Sequence, residues 1–313
     1  MNKYTVIRVD DASVGDFESY DLNILAVTGE SRAWAIPDKF IGSRARTWVL
    51  VRRNETLAND DLSAEVRRRL PLAEILEADT LSGQVAVFLS SFAEDKRARI
   101  FIDISCMTRR DMAELLNAMF PLEGGACELE LTIGYVVADF TPPPSSAPRN
   151  EFIGPLSPRF AGWPSNPSAS TALVLGLGYE AAKAEGAHEY FDAIDNWVFF
   201  PESPITQYDD EVLTNNRQLV ELADRNSRLF RYRVDSPAEL LSRLSLLVLD
   251  HSSSSNLVIL PFGPKIFVAA SLIAAIISPS VGVWHATGDT DLPADDHFAS
   301  KYIVGMKVIV AKG

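Results

Sequence analysis

The fold class follows from the stretch Arg99-Ile-Phe-Ile-Asp-Ile-Ser-Cys-Met-Thr-Arg-Arg110 and from its later echo, Asn256-Leu-Val-Ile-Leu-Pro-Phe-Gly-Pro-Lys265. Each begins with an apolar, β-branched run that predicts a strand. Each run ends at a short loop with small residues and a cation, and each loop opens into an apolar helix, predicted at Asp111–Phe120 and Ile266–Ile277. The sequence therefore predicts the same strand–loop–helix unit twice.

This unit predicts an anion-binding corner. The first N–H groups of a helix have no partner inside the helix, and the helix dipole favours negative charge at that end. Arg109, Arg110 and Lys265 add formal positive charge at the two corners. We therefore expect a phosphorylated or otherwise anionic small molecule as ligand, whereas no reaction is indicated by this pattern.

Composition narrows the class of protein. The chain has 313 residues, of which 47% are hydrophobic and 23% charged, as in folded domains. The net charge of −13 disfavours binding to duplex nucleic acid or to an anionic membrane. Cys106 and Cys127 form neither a disulfide framework nor a metal-binding pattern. The first residues lack the apolar core of a signal peptide, and we expect a cytoplasmic protein.

One uncharged segment, Ile266–Trp284, approaches the length of a membrane span. Ser278-Pro279-Ser280 divides it into a piece of helix length and a piece of strand length, Val281–His285. A buried helix followed by a buried strand is the interpretation we favour, so no membrane contact is expected.

The order of elements predicts two domains. Strands alternate with helices in both halves of the chain, which indicates parallel βαβ units. Between the halves, Thr141–Ser170 contains eight prolines and no periodicity, and it reads as a linker. We predict an α/β fold with two Rossmann-like open parallel sheets, formed by residues 1–140 and 171–313, with a linker at 141–170.

The two halves also match each other. Arg46-Thr-Trp48 corresponds to Asn196-Trp197, and Ile133-Gly-Tyr-Val corresponds to Val281-Gly-Val-Trp. The loop and helix beginning at Arg109 align with those beginning at Lys265. Because these matches occur in the same order, the sequence predicts an internal duplication, although two unrelated α/β domains would also share some of them.

Ligands of open parallel sheets bind beyond the carboxyl ends of the strands. After the strand Ala172–Gly176 stands a partial glycine-rich turn, Gly176-Leu-Gly178. A dinucleotide site would need an acidic residue about twenty positions later, where this chain has Phe199 and Phe200. No cofactor is therefore predicted, and Gly176 and Gly178 are retained as ligand-binding candidates.

Two carboxylates are weak candidates for catalysis. Asp103 interrupts an apolar strand, and it either braces the following loop or acts as a catalytic acid. Glu180 lies beside the glycine turn, as Glu30 does in the first half, and either could be an ordinary acid in the first turn of a helix. Ser105 lacks the surrounding pattern of a nucleophile elbow, and Thr108 reads as the N-cap of the next helix.

Metal and nucleic-acid sites are not predicted. The four histidines have no partner at ligand spacing apart from the acidic loop at Asp295-Asp296-His297, which reads as a solvated surface loop. The basic runs Arg67–Arg69, Lys96–Arg99 and Arg231–Arg233 lie on separate elements without interleaved aromatic residues.

The segment Phe101-Ile-Asp-Ile-Ser-Cys-Met-Thr-Arg-Arg-Asp-Met-Ala113 resembles the ligand loop of CRISPR-associated Rossmann-fold (CARF) domains. Two such domains in one chain resemble the SAVED domains of bacterial antiphage signalling. The resemblance implies that the paired loops cradle a cyclic oligonucleotide in a cleft between the halves. It also implies which residues face that ligand: Ser105, Met107, Thr108 and Arg109 from one half, and Gly263, Pro264 and Lys265 from the other.

Three functions remain open at this point. The first is a nucleotide-binding sensor in antiphage defence, which would act through an effector protein partner or as a homodimer. The second is an enzyme that cleaves a nucleotide or a phosphorylated nucleoside at the same cleft. The third is a non-catalytic interaction subunit whose cleft is filled by side chains.

Overall fold

The computed structural model describes residues 4–15, 19–51, 59–92, 96–121, 128–143, 152–162, 168–180, 183–251, 254–287 and 297–312. The chain forms two compact units. The first contains Met1–Asp139 and Pro293–Gly313, and the second contains Phe140–Leu292. The first unit is therefore discontinuous in sequence, with the second unit inserted before its last strand.

The strands are β1 (Tyr4–Asp11), β2 (Leu22–Val27), β3 (Thr47–Val51), β4 (Glu74–Leu76), β5 (Arg97–Asp103), β6 (Glu128–Ala138), β7 (Phe152–Pro155), β8 (Thr171–Gly176), β9 (Asp195–Glu202), β10 (Leu229–Arg233), β11 (Asn256–Pro261), β12 (Gly282–Thr287) and β13 (Ala299–Lys312). The α-helices are α1 (Asn59–Arg69), α2 (Ala78–Ser90), α3 (Arg109–Met119), α4 (Lys183–Phe191), α5 (Thr206–Asn215), α6 (Arg217–Arg225), α7 (Pro237–His251) and α8 (Lys265–Ile277).

The sheet of the first unit has seven strands in the order β1-β13-β6-β5-β2-β3-β4. Strands β4, β3, β2, β5 and β6 are parallel neighbours. Their positions follow the order of doubly wound sheets, in which the first and fourth parallel strands, here β2 and β5, meet at the switch point. β13 pairs antiparallel with β6, and β1 pairs antiparallel with β13.

The sheet of the second unit has six strands in the order β10-β9-β8-β11-β12-β7. Its five parallel strands, β8 to β12, repeat the arrangement of the first unit, with the switch point between β8 and β11. β7 is antiparallel to β12. The prediction of an α/β fold with two Rossmann-like sheets is confirmed. The internal duplication stays a prediction, since a shared strand order also arises in unrelated domains.

The end of the chain differs from the sequence-based assignment. The sequence predicts a strand at Lys301–Val310, and its place in the chain puts it in the predicted C-terminal domain of residues 171–313. In the structure this strand is β13 and belongs to the sheet of the first unit. The alternation of apolar residues in β13 fixes which face is buried, whereas it carries no information about which strand is the neighbour.

Part of the proline-rich segment belongs to the second sheet. Within the predicted linker 141–170, residues Phe152–Pro155 form β7 and pair with β12. This position suits a segment with prolines, because an edge strand needs fewer backbone donors than a central strand.

Two predicted helices are divided. The amphipathic pattern of Asp209–Asn226 predicts one helix, but the structure has α5 and α6, divided at Asn216. For Ser31–Ile41 the sequence predicts a helical stretch that Pro37 breaks or kinks, and the structure has two 3-10 turns there, separated before Pro37. Of the acidic loop at Asp295-Asp296-His297, Asp295 and Asp296 lie outside the described residues.

Helix α8 is apolar on all sides, and every residue from Ile266 to Ile277 is buried. It is followed after a short turn by β12, as the sequence predicts for a buried helix and a buried strand. Among the described residues, no helix is both long and apolar enough to cross a membrane.

Candidate functional site

The predicted ligand-binding residues flank the switch points of the two sheets. The loop Ser105–Thr108 follows β5, which neighbours β2 in the first sheet. The turn Gly176–Gly178 follows β8, and the loop Phe262–Pro264 follows the neighbouring strand β11 in the second sheet. Loops at these positions are where doubly wound sheets bind their ligands.

In the first unit, Asp103 braces the loop that follows it. Its side chain is 1% exposed, and Oδ1 accepts hydrogen bonds from the backbone N–H of Ser105 (2.9 Å) and from Ser105 Oγ (2.5 Å). Ser105 Oγ in turn accepts from the backbone N–H of Val136 on β6 (2.9 Å). A buried carboxylate requires such donors, and these contacts account for Asp103 as a loop-bracing residue.

The start of α3 is occupied by the protein's own carboxylate. Thr108 is the N-cap, and its Oγ1 accepts from the backbone N–H of Asp111 (3.1 Å). Asp111 Oδ2 accepts from the backbone N–H of Thr108 (2.9 Å), which completes a capping box. Because Asp111 already places negative charge in the first turn, an added anion at this corner would meet electrostatic repulsion.

The remaining loop residues of the first unit differ in exposure. Ser105 and Met107 are buried and contribute to the interior of the loop, whereas Thr108 and Arg110 are exposed and Arg109 is half-buried. Arg110 forms an ion pair with Glu114 one turn later (2.8 Å) on the surface of α3. The family resemblance placed Ser105 and Met107 against a ligand, but neither side chain contributes appreciably to the exposed surface.

A buried polar cluster lies at the same edge of the first sheet. Arg32 Nε donates to Glu30 Oε2 (2.8 Å) just after β2, and the side chains of both residues are largely buried. Burial raises the pKa of the Tyr135 hydroxyl on β6, and the positive charge of Arg32 only partly offsets this rise. Burial lowers the pKa of Arg32, but Tyr135 and Glu30 outweigh that effect and hold it above its ordinary value. The ion pair of Arg32 and Glu30 therefore occupies this part of the sheet edge.

In the second unit, the glycines allow two loops to touch. A Cβ at Gly178 would lie 2.5 Å from the carbonyl oxygen of Phe262, and one at Gly263 would lie 2.5 Å from that of Leu177. The carbonyl oxygen of Gly176 accepts from the backbone N–H groups of Phe262 (2.9 Å) and Gly263 (3.0 Å). The close approach that requires glycine is therefore one between the two loops, and it places the glycine turn directly beside the start of α8.

Two asparagines hold the glycine turn from the other side. Asn216 Nδ2 donates to the carbonyl oxygens of Gly178 and Val212 (both 2.9 Å), and Asn215 Nδ2 donates to that of Tyr179 (2.6 Å). These bonds explain why the predicted long helix breaks at Asn216, because its side chain bonds to the loop. The pair Asn215-Asn216 is the sequence signal for this break, because asparagine side chains compete with the helix for backbone hydrogen bonds.

Glu180, the second weak catalytic candidate, is an ion-paired residue. Its Oε2 lies 2.8 Å from Nζ of Lys183, three residues later in the chain, and the Lys183 side chain is only 13% exposed. A carboxylate in this position neutralises a largely buried ammonium group. This contact supports a structural role for Glu180 in the loop before α4.

The start of α8 contrasts with that of α3. Within the described residues 264–277, α8 has Pro264 as its N-cap, no side-chain cap and no acidic residue in its first turn. Its first residue is Lys265, and the cap residues Gly263 and Pro264 are partly exposed. This corner combines the positive end of the helix dipole with a lysine side chain, and the first turn of α8 contains no acidic residue.

Aromatic side chains flank the glycine turn. The rings of Tyr179 and Tyr208 have centroids 5.5 Å apart, and the ring of Phe140 lies 5.1 Å from that of Tyr208. Next to Tyr208, Asp209 accepts from the backbone N–H of Ser203 (2.7 Å), and burial raises the pKa of its carboxyl group. The members of this group come from three separate segments of the chain, so no local sequence pattern indicates that they meet.

The ligand of this site is not indicated by a metal-binding cluster among the described residues or by a match to a known protein. Among the described residues, no cluster of three or more His, Cys, Asp or Glu side chains is arranged to hold a metal ion. No protein-family model matches the chain, and no curated protein matches its sequence.

Proposed function

We propose that the protein binds an anionic, nucleotide-type ligand, such as a cyclic oligonucleotide second messenger, and acts as a sensor module in cytoplasmic antiphage defence in bacteria. The binding surface we propose is the corner formed by Gly176, Gly178, Gly263, Pro264 and Lys265 in the second unit. The resemblance of the paired loops to CARF and SAVED domains supports a nucleotide-type ligand, such as a cyclic oligonucleotide.

The observation that carries the proposal is the contrast between the two helix starts. Helix α3 begins with a complete capping box that contains Asp111, whereas α8 begins at Lys265 with neither a side-chain cap nor an acid in its first turn. A phosphate group would therefore find helix N–H groups and an ammonium group at α8, and a carboxylate at α3. Of the two predicted anion-binding corners, the one at the start of α8 is therefore the more favourable for a phosphate group.

The surroundings of the second corner suit a nucleotide better than inorganic phosphate. The turn Gly176–Gly178 leads directly into Tyr179, whose ring lies near that of Tyr208. Partly exposed aromatic faces stack on nucleobases with little dependence on sequence. A phosphate at Lys265 and a base near Tyr179 would together use both features.

The two carboxylates considered for catalysis have structural contacts. Asp103 Oδ1 accepts two hydrogen bonds from Ser105, and Glu180 is paired with Lys183. These contacts favour a sensor over an enzyme that would use either group as a base, because a base needs a lone pair directed at the substrate.

The test is thermal unfolding of the purified protein with cyclic oligonucleotides, linear oligonucleotides and mononucleotides. A ligand at a hundred times its dissociation constant should add about 2.7 kcal/mol to stability and raise Tm by several degrees. Lys265→Ala should abolish the shift. Arg110→Ala is the matched control, since Arg110 is a cation in the first turn of α3 and pairs with Glu114, and it should retain the shift.

Recovery of the nucleotide after the experiment separates the candidate functions. Intact nucleotide with a shift that depends on Lys265 would support the sensor, whereas consumed nucleotide would indicate an enzyme. A shift abolished by Arg110→Ala but not by Lys265→Ala would contradict the assignment to the second unit.

An interaction subunit is the second candidate, and the first unit provides the reason. Its switch-point edge is filled by the buried side chains of Met107, Arg32 and Tyr135. If no nucleotide raises Tm, this filled edge favours a non-catalytic role in a complex with an effector protein, and co-purification of that protein becomes the next measurement.

A further inference from the structure

Strand β1 is the end strand of the first sheet. Within the described residues, β13 is the one strand that pairs with it. Its outer side is open to solvent, because the side chain of Arg8 is 67% exposed and Ile7 is 56% exposed. The outward N–H and C=O groups of an end strand can pair with a further strand. This edge is therefore a candidate surface for another chain.

The described residues after β1 leave this edge open. The backbone N–H of Ala12 donates to the carbonyl oxygen of Gly305 on β13 (2.8 Å). The chain then turns over one face of the sheet, because a Cβ at Gly305 would meet the carbonyl oxygen of Ala12 and the side chain of Val14. Farther along the chain, Tyr20 lines a pocket together with Lys307 of β13. The segment thus runs over the sheet and away from its edge.

The direction of the backbone groups limits how a second copy of β1 can pair. The N–H of Ala12 points to β13, so the alternation along the strand points those of Asp10 and Arg8 there as well. The N–H and C=O groups of Val9 then point outwards. Residues directly opposite in an antiparallel pair either exchange hydrogen bonds or both point away. A two-fold symmetric pair of β1 strands must therefore place one residue opposite itself.

Charge selects Val9 as the residue on the two-fold axis. The regular part of β1 runs from Arg8 to Asp11, after a bulge at Ile7. With Arg8, Asp10 or Asp11 on the axis, two like charges would stand directly opposite each other, which destabilises a pair of strands. With Val9 on the axis, Arg8 of each copy stands opposite Asp10 of the other. Of the registers in this stretch, it is the one that pairs opposite charges.

The same register joins the four charges into one network. Arg8 Nε lies 2.6 Å from Asp10 Oδ2 of its own chain, so both side chains lie on one face of the strand. In a pair of copies, each carboxylate would have one arginine beside it along the strand and one across the axis. Such a network contributes more than an isolated exposed ion pair. Charges can also protect an edge against pairing, but protection would require repulsion in every register, and here one register is attractive.

We propose that the protein forms a two-fold symmetric dimer through β1, with Val9 opposite Val9 of the second copy. The N–H and C=O groups of the two Val9 residues exchange hydrogen bonds, and Arg8 and Asp10 form reciprocal ion pairs across the axis. The first-unit sheets of the two copies then continue into one sheet. Because both copies use the same surface, the assembly closes at two chains. This interface is independent of the ligand corner proposed in the second unit.

The experiment measures the dissociation constant of the dimer by sedimentation of the intact chain over a series of concentrations. Arg8→Asp and Asp10→Arg each place like charges opposite one another on both sides of the axis. Each variant should raise the dissociation constant at least about tenfold. A wild-type chain that stays monomeric up to about 0.1 mM would overturn the proposal, and so would a dimer that neither variant weakens.

An equimolar mixture of the two variants separates a contact between copies from a contact within one chain. Each variant loses the pair of Arg8 and Asp10 within its own chain, and mixing cannot restore that pair. In a mixed dimer, however, the two acids of one copy stand opposite the two arginines of the other. The mixture should therefore dimerise about as tightly as the wild-type protein. A mixture as weak as the separate variants would overturn the proposal.

Two further variants control for net charge and for folding. Lys301→Asp changes the net charge as Arg8→Asp does, but Lys301 lies on the part of β13 that does not pair with β1, so the dimer should be unchanged. Val9→Pro removes the outward N–H on the axis without a change of charge, at an edge position that tolerates proline, and it should abolish the dimer. Equal weakening by Lys301→Asp, or a folded Val9→Pro variant that still dimerises, would overturn the proposal.

Discussion

At the scale of single residues, the brace formed by Asp103 and Ser105 can be tested by a double-mutant cycle. Asp103→Ala leaves the two donors of Ser105 without this acceptor, and Ser105→Ala removes the acceptor for the Val136 N–H. Each change should lower the free energy of unfolding, measured in urea, by about 1–3 kcal/mol. The double variant should lose less than the sum, with a coupling above about 0.5 kcal/mol. Strict additivity would contradict the brace.

Two glycines make a second test at this scale. Gly178→Ala places a methyl group 2.5 Å from the carbonyl oxygen of Phe262, and it should lower the free energy of unfolding by about 1–3 kcal/mol. Gly83→Ala is the control, because its methyl group enters open space on an exposed helix face. It should raise the free energy of unfolding by about 0.5–1 kcal/mol. Equal effects of the two changes in thermal or urea unfolding would show that the loops do not pack as described.

The sequence could identify these residues but could not assign their roles. Asp103 stood out because a carboxylate interrupts an apolar strand, and two roles remained open. Asp103 bonds to Ser105 because of the conformation of the loop. Ser105 is in turn held by the backbone N–H of Val136, which lies 31 residues later in the chain. Gly176 and Gly178 stood out as a glycine turn, but the oxygen that requires a glycine at 178 belongs to Phe262, far along the chain.

At the scale of elements, Glu130 joins three strands of the first sheet. On β6, its carboxylate contacts Lys307 of β13 (3.0 Å) and Arg97 of β5 (3.2 Å). Burial alone would raise the pKa of Glu130, but the bonds from Lys307 and Arg97 outweigh burial and hold the pKa below the ordinary 4.5. A depressed pKa in the folded state adds stability above the ordinary pKa, and this contribution is lost as the pH falls through the folded-state pKa.

Glu130→Gln should therefore lower the free energy of unfolding by about 0.5–1 kcal/mol at pH 7. The difference from the wild-type protein should shrink as the pH falls below about 4.5, as urea unfolding at a series of pH values would measure. Glu114→Gln is the control, because its partner Arg110 is 77% exposed, and it should have little effect. A constant difference down to pH 3 would contradict the role of Glu130.

Elements were predicted best where their pattern is local. The strands β5 and β11 and the helices after them follow from apolar periodicity, and the sequence placed them within a few residues. The side chain of Asn216 bonds to the carbonyl oxygens of Gly178 and Val212 at the break between α5 and α6. The bond to Gly178 joins distant parts of the chain, so the periodicity of the helix does not predict it. The partner of β13 was missed for the same reason, since pairing is a tertiary choice.

At the scale of the whole molecule, the class and the number of domains were predictable, but the path of the chain was not. Alternating strands and helices in both halves indicated two parallel sheets, and each sheet has the same order of parallel strands. The matched segments at Trp48 and Trp197 lie on the second parallel strand of each sheet. This agreement supports the predicted duplication. β13 is the exception, because it belongs to the first unit but follows the second unit in the chain.

The discontinuous first unit leads to a prediction about fragments. β1 pairs with β13, so residues 1–139 alone would leave β1 without this neighbour and would expose the apolar face that Val304, Met306 and Val308 cover. Burial of such side chains supplies about 1.5–3 kcal/mol each, so the loss of all three is comparable with the roughly 5–15 kcal/mol by which a whole domain is stable. We expect residues 1–139 to lack a cooperative thermal transition in circular dichroism.

A short turn should restore the first unit. Ala138 pairs with Ala299, and the backbone N–H of Asp139 donates to the carbonyl oxygen of Phe298 (2.9 Å), so the two chain ends already stand as the ends of an antiparallel hairpin. Residues 1–139 joined through Asn-Gly to residues 298–313 should fold cooperatively, because this dipeptide suits a two-residue hairpin turn. Residues 140–292, which keep all six strands of their sheet, should also fold alone. Cooperative folding of residues 1–139 without β13, with a Tm equal to that of the joined chain, would show that the last strand is dispensable.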